Sequence, residues 1–243
     1  MNRTVASLIK IPVRNGEMDM YLGSPERRVP GPAIVLMYHR TAIDDFTKGV
    51  VDRLVGSGYL VAVPDVYYRC PGDMPILERK ALLNDSEIVD DVGCTIDALR
   101  KRTDVAADRI VVMGHCMGGR MALLLAGSSA RFCAAVVYYG GGVMRSWGDG
   151  ATVFERLRNI HCPVIGFFGN EDKNPSPEEV DQIDAELKRH DVDHDFHRYP
   201  GVGHGFQNPN RNTPHERAAA DDAWTRTFAF LHNVAPVSTS ASR

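Results

Sequence analysis

Hydrophobic and polar positions along this chain predict strands and helices in alternation. Continuous apolar runs at 33–38, 59–63 and 110–113 are typical of strands that are buried on both faces. Between these runs, residues 44–57 and 86–102 carry apolar side chains at helical spacing. Because strands and helices alternate, the pattern predicts an α/β fold with a mostly parallel central sheet and helices on both faces.

The same pattern adds an N-terminal hairpin and the second half of the sheet. Asn15-Gly16 lies between two strand-like segments, which is a strong hairpin signal. Segment 70–85 has only weak patterning and is predicted to be a surface loop or short cap, and segment 140–157 gives no clear prediction. The further strands are predicted at 4–11, 18–22, 134–139, 163–168 and 195–199, and the further helices at 121–126, 176–190 and 213–231.

Length and charge indicate one domain without a nucleic-acid partner. Residues 1–232 of the 243 are predicted to form a single domain, and the tail 233–243 is predicted to be disordered. The net charge is −3, and the charges are interspersed without a basic run, which does not favour nucleic-acid binding. No apolar stretch approaches a membrane span, so no membrane association is predicted. A monomer and a small homo-oligomer both remain open.

The cysteines indicate a reducing compartment. There are five, which is an odd number, and none of them forms a C-x-x-C pair. The N-terminal residues also lack the apolar segment of a signal peptide. We therefore expect reduced thiols and a cytoplasmic location.

One segment combines a buried strand, a turn of small residues and an apolar helix. Within it, Gly114-His115-Cys116-Met117-Gly118-Gly119 has the form of a nucleophile elbow, with sulfur in place of the usual serine oxygen. The positive end of the following helix would favour a thiolate at Cys116. The alternative is a buried cysteine in an ordinary strand-to-helix turn.

Two further residues would complete a catalytic triad. Asp172 and His204 follow Cys116 in the order nucleophile, acid, base that α/β-hydrolases use, and each comes after a predicted strand. His204 could carry the proton of the thiol, and Asp172 could hold the imidazole in one tautomer. The backbone N–H groups of Met117 and Arg40 are the expected oxyanion-hole donors.

Four sequence motifs resemble those of the dienelactone hydrolase family, a cysteine branch of the α/β-hydrolases. They are the elbow itself, Gly-Asn-Glu-Asp at 169–172, Tyr-Pro-Gly-Val-Gly-His-Gly-Phe at 199–206 and Pro-Asp-Val-Tyr at 64–67. The resemblance covers about residues 4–231. It implies an α/β-hydrolase fold, a cysteine nucleophile and opening of an unsaturated lactone through an acyl-thioester. It also implies a small-molecule substrate and no cofactor.

This chain departs from that family at two positions. The founding enzymes have a glutamate at the position of His39, where it interacts with the resting thiol. His39 is therefore expected either to pair with the Cys116 thiolate or contact substrate, or to shape the oxyanion loop through hydrogen bonds. Those enzymes also hold the substrate carboxylate with an arginine shortly after the catalytic histidine, where this chain has Asn208 and no cation before Arg211.

Because of these departures, the substrate remains open between dienelactone and a different small ester, lactone or thioester. Arg69 or Arg40 could replace the missing cation, and Tyr139 could line the pocket. The histidine spacings match no zinc motif, so no metal is predicted. Two functions of other classes are a non-catalytic α/β-hydrolase scaffold and a redox-sensing thiol protein.

Overall fold

A single eight-stranded sheet organises the chain. The computed structural model describes residues 5–26, 29–129, 131–209 and 213–237. The strands are β1 (Val5–Val13), β2 (Gly16–Ser24), β3 (Gly31–Met37), β4 (Leu60–Pro64), β5 (Val105–His115), β6 (Ala134–Tyr138), β7 (Val164–Gly169) and β8 (His194–Tyr199).

The order of the strands creates a crevice in the middle of the sheet. The order is β1-β2-β4-β3-β5-β6-β7-β8, and β2 is antiparallel to both of its neighbours while all pairs from β4 onward are parallel. The chain moves outward in one direction from β3 and in the other direction from β5. Ligands of open α/β sheets bind at the carboxyl ends of strands where the order reverses in this way. The mostly parallel α/β sheet is thus confirmed.

Helices pack on both faces of this sheet, as the alternating pattern predicts. Asp44 caps the first of them, Ser176 caps the fifth, and Thr213 forms a capping box with Glu216 at the start of the last. On one face Arg53 of the first helix lies over Trp224 of the last. The helices are α1 (Asp45–Gly56), α2 (Asp85–Arg100), α3 (Met117–Ala126), α4 (Val153–Arg156), α5 (Pro177–Arg189) and α6 (Pro214–Val234).

Several elements extend beyond their predicted bounds. β5 begins at Val105 rather than at residue 110, because Val105 pairs with Gly31 of β3; the register then shifts past Asp108 and Arg109 before pairing resumes at Ile110. α6 continues to Val234, and Ala235 behind it is fully buried, so the first residues of the predicted tail belong to the fold. The end of that tail, 238–243, lies outside the described residues.

The two weakly patterned segments contain short helices. Segment 70–85 includes a 3₁₀ helix at Arg79–Leu82, none of whose residues is buried. Segment 140–157 includes α4, which leads into a second 3₁₀ helix at Leu157–Asn159. Among the helices that the structure describes, none combines the length and apolar character needed to cross a bilayer.

Candidate active site

The backbone at Cys116 makes a sharp turn from β5 into α3. Cys116 has φ 56° and ψ −118°, which an L-residue adopts only under strain. Such a turn needs bare backbone on either side. A Cβ on Gly114 would lie 2.0 Å from the Gly118 carbonyl oxygen, and one on Gly118 would lie 2.0 Å from that of Met37. The glycines of the elbow therefore allow the Cys116 side chain to stand at the start of α3.

Three side chains from three strand ends meet at this turn. The Cys116 Sγ lies 3.0 Å from His204 Nε2, and His204 Nδ1 lies 2.7 Å from Asp172 Oδ2. The other Asp172 oxygen accepts the backbone N–H of Asn174 at 2.8 Å, which fixes the carboxylate. Asp172 follows β7 and His204 follows β8, so adjacent parallel strands deliver both residues to one edge of the sheet.

The electrostatics of this contact favour an imidazolium–thiolate pair. Burial acts to raise the pKa of the Cys116 thiol, but the hydrogen bond and charge of His204 and the N–H of Met117 outweigh it, so the pKa is lowered. Burial likewise acts to lower the pKa of His204, but the hydrogen bonds to Asp172 and Cys116 raise it to about 10. Both shifts act in the same direction: they favour the proton on the imidazole and negative charge on the sulfur.

Met117 and Arg40, the two residues expected to supply oxyanion-hole N–H groups, come from different elements and line the same cleft as Cys116. Met117 is the first residue of α3, where N–H groups have no partner within the helix, and its N–H is directed at Sγ. Arg40 lies in the loop that follows β3. That loop packs against the elbow, because a Cβ on Gly118 would lie 2.8 Å from the Tyr38 carbonyl oxygen. The Arg40 N–H donates to no acceptor within the described part of the chain.

Two of the predicted site residues point away from the thiol. His39 Nε2 lies 2.9 Å from Asp44 Oδ1, at the cap of α1, and the hydroxyl of Thr41 binds the same two side chains. This favours the interpretation in which His39 shapes the oxyanion loop. Arg69 forms a 2.8 Å hydrogen bond with the buried carboxylate of Asp91 on α2.

Tyr139, in contrast, lies in the cleft above Cys116. Its ring is 2% exposed and is 5.1 Å from the imidazole of His204, centroid to centroid. Its backbone has φ 38°, an unusual value for a residue with a large side chain. The full lining of the cleft is Arg40, Lys80, Cys116, Met117, Arg120, Tyr139, Gly141, Trp147, Asn174 and His204.

The most consequential residue that the sequence pattern did not identify is Arg120. It is 1% exposed and forms two hydrogen bonds with Asp85, at 2.7 and 2.9 Å. Its guanidinium also lies 3.8 Å from the ring centroid of Trp147 and donates to the Arg145 carbonyl oxygen. Arg120 thus joins α3, α2 and segment 140–157 behind the cleft. The sequence did contain one signal for this residue, because a charged side chain at the start of an otherwise apolar helix needs a buried partner.

The described residues include no group of three or more side chains arranged to hold a metal ion. The lining of the cleft offers polar contacts for an organic substrate instead, from Lys80, Asn174 and the backbone of the elbow.

The parallel sheet, the elbow and the residue order define an α/β-hydrolase. Residues 18–235 match the sequence model of the Dienelactone hydrolase family. The chain therefore belongs to the dienelactone hydrolase family, whose members are ester and lactone hydrolases.

Curated relatives agree with this assignment, and a solved structure shares the fold. A Synechocystis protein named "Putative carboxymethylenebutenolidase" is 27% identical over 232 residues, covering 90% of this chain and 93% of that protein. A Bradyrhizobium protein named "Probable 2-oxo-3-(5-oxofuran-2-ylidene)propanoate lactonase" is 26% identical over 227 residues, covering 89% and 90%. A crystal structure from Klebsiella pneumoniae described as a "Putative Dienelactone Hydrolase" superposes with a TM-score of 0.86 at 23% identity, covering 95% of this chain and 99% of the other.

Proposed function

We propose that the chain hydrolyses a small ester or lactone through an acyl-thioester on Cys116. The observation that carries the proposal is the unbroken series of contacts from Asp172 through His204 to the Cys116 sulfur. Acyl transfer needs a nucleophile, a proton carrier and a group that orients the carrier, and these three side chains supply them in that order. The chemistry needs no cofactor.

In the first half of the reaction, the thiolate attacks the carbonyl carbon of the substrate and a carbon–sulfur bond forms. The carbonyl oxygen becomes an oxyanion, which accepts hydrogen bonds from the backbone N–H groups of Met117 and Arg40. The imidazolium of His204 then protonates the departing alkoxide oxygen as the carbon–oxygen bond breaks. In a lactone this alcohol stays attached to the acyl chain, so the opened ring remains on Cys116.

In the second half, the neutral imidazole of His204 takes a proton from a water molecule. The hydroxide oxygen attacks the thioester carbonyl, the carbon–sulfur bond breaks, and the acid product leaves. The thiolate and the imidazolium are restored. Asp172 accepts a hydrogen bond from the Nδ1–H group of His204 throughout, which keeps Nε2 directed at the reacting atoms.

Intact-protein mass spectrometry tests this route. Brief exposure to a small activated ester, with acid quenching, should add one acyl group, and peptide mapping should locate it on Cys116 among the five cysteines. Cys116→Ala provides the background, and Cys94→Ala is the matched control that should acylate normally. Turnover without a Cys116 adduct, at any quenching time, would contradict the proposal.

Two other outcomes correspond to the other function classes. Absence of both adduct and turnover would indicate a non-catalytic scaffold. Reversible sulfenic acid at Cys116 after mild peroxide, without esterase activity, would indicate a redox-sensing thiol.

The charge of the cleft extends the proposal to the substrate. Lys80 lies 5.4 Å from the ring centroid of Trp147, and its charge contributes to lowering the pKa of the Cys116 thiol. None of the described residues that line the cleft is acidic. The cavity in the cleft has a volume of only about 40 Å³, so most of a substrate would extend out of it toward solvent. We therefore propose an ester or lactone that carries a carboxylate.

Replacing Lys80 with methionine should selectively reduce the turnover of a substrate that carries a carboxylate. We expect kcat/KM for a carboxylate-bearing aryl ester to fall about 10-fold, since a charge-assisted contact contributes about 1.5–3 kcal/mol at most. The value for the neutral ester of the same leaving group should change less than about 2-fold. Lys48→Met, on the exposed side of α1, is the matched control. Equal losses for both esters would contradict recognition of the carboxylate by Lys80.

A further inference from the structure

The hydroxyl group of Tyr67 contacts both residues that would supply the oxyanion donors. It donates to the Arg40 carbonyl oxygen at 3.2 Å, and the hydroxyl oxygen of Tyr67 also lies 3.3 Å from the Met117 sulfur. Tyr67 comes from a third segment, the turn after β4, and is 1% exposed. One buried hydroxyl thus contacts both residues whose N–H groups would hold the developing negative charge.

No direct covalent linkage fixes the distance between these two N–H groups. Arg40 lies in a loop after β3, whereas Met117 begins α3, so only noncovalent contacts set the distance between them. An oxyanion hole works only when both N–H groups lie about 2.7–3.1 Å from the position of the oxyanion, and displacement by about 1 Å can cost 100-fold in rate. A contact that ties the Arg40 backbone, at the carbonyl one peptide group after its N–H, to the side chain of Met117 is therefore of direct value to catalysis.

Tyr67 is itself held rigidly in place. Its backbone N–H lies 3.0 Å from the hydroxyl of Tyr38 and 3.1 Å from Asp65 Oδ1, and Tyr38 donates to that same carboxylate at 2.9 Å. The rings of the two tyrosines are in contact, with centroids 5.4 Å apart. Burial raises the pKa of Tyr67 to about 12, so the hydroxyl keeps its proton at neutral pH.

We propose that Tyr67 is a positioning residue that sets the spacing of the oxyanion donors of Arg40 and Met117. The inference rests on the proposed function, because it concerns the acyl-transfer reaction of Cys116. Tyr67 does not contact the reacting atoms. It acts through the backbone of the loop, and its loss should affect steps that create an oxyanion and spare steps that do not.

Two reactions of the Cys116 thiol distinguish steps that create an oxyanion from steps that do not. Hydrolysis of an activated ester passes through an oxyanion, whereas alkylation by iodoacetamide does not. For Tyr67→Phe we expect kcat for the ester to fall about 10- to 100-fold with KM changed less than about 3-fold. The rate of Cys116 alkylation at pH 7 should stay within about 2-fold of wild type.

Tyr68→Phe is the matched control. Tyr68 is the next residue, and its hydroxyl donates to Asp91 rather than to the elbow. Both of its rates should stay within about 2-fold of wild type. Tyr38→Phe is a second variant that keeps the Tyr67 hydroxyl but removes a contact that holds it, so the same selective loss is expected with a smaller size.

The outcomes distinguish this inference from the proposed function. If wild type gives no acyl adduct at Cys116, the proposed function fails. If wild type acylates but Tyr67→Phe turns over at the wild-type rate, the positioning role is overturned. Parallel loss of hydrolysis and alkylation would overturn it as well, since that result means that the thiol itself has moved.

Discussion

His204→Ala is expected to lower ester hydrolysis at least about 1,000-fold. The imidazole loses both of its proposed tasks, protonation of the leaving alcohol and deprotonation of water, and general acid–base catalysis of this kind contributes about 100- to 10,000-fold. The variant should also change the pKa and the reactivity of the Cys116 thiol. Because the hydrogen bond and charge of His204 lower the pKa of Cys116, their removal should raise that pKa. The pH profile of iodoacetamide alkylation should then shift to higher pH, with a slower reaction at pH 7.

His190→Ala is the matched control, since His190 lies at the end of α5 and contacts Glu186. It should leave the turnover and the alkylation profile unchanged. An unchanged alkylation profile in His204→Ala would contradict the imidazolium–thiolate pair, even if hydrolysis were lost.

Asp85→Asn is expected to lower the free energy of unfolding by about 3–5 kcal/mol. The substitution removes the counter-charge of Arg120 while both side chains are 1–2% exposed, so it leaves a buried guanidinium without its ion pair. Asp85 also accepts the backbone N–H of Trp147, so segment 140–157 loses a contact as well. Urea unfolding followed by far-ultraviolet circular dichroism measures the change.

The exposed ion pair between Arg131 and Asp97 provides the comparison. Asp97 is 59% exposed, and Asp97→Asn should cost less than about 1 kcal/mol because surface pairs contribute little. A loss below about 1 kcal/mol in Asp85→Asn would mean that water or a rearranged side chain compensates the buried charge.

The elbow and the sheet were predictable because they depend on local chemistry. The apolar run before Cys116 and the glycines around it specify a strand, a turn and a helix within a few residues. The position of Asp172 and His204 after strands predicted that they would lie at the same edge of the sheet. The structure brings both to Cys116, and their catalytic role stays a proposal.

The contacts that line and support the cleft were not predictable in this way. Arg120 pairs with Asp85, and Lys80 reaches the cleft from a segment with weak patterning. Both depend on how distant segments pack, which periodicity does not report. His39 is a related case: its place after a central strand suggested the thiol, but the Asp44 cap of α1 is its nearer hydrogen-bond partner.

The short 3₁₀ helix at Arg79–Leu82 has a consequence for how such an enzyme can evolve. Lys80 lines the cleft, yet no residue of this helix is fully buried, and substitutions away from a packed core usually cost little stability. Arg120 lines the same cleft, but substitutions there are costly because it is buried and paired with Asp85. If Lys80 recognises the substrate as proposed, substrate preference can drift at residue 80 while Arg120 preserves the fold, and a mutant library confined to residues 77–82 would sample new specificities with few unfolded members.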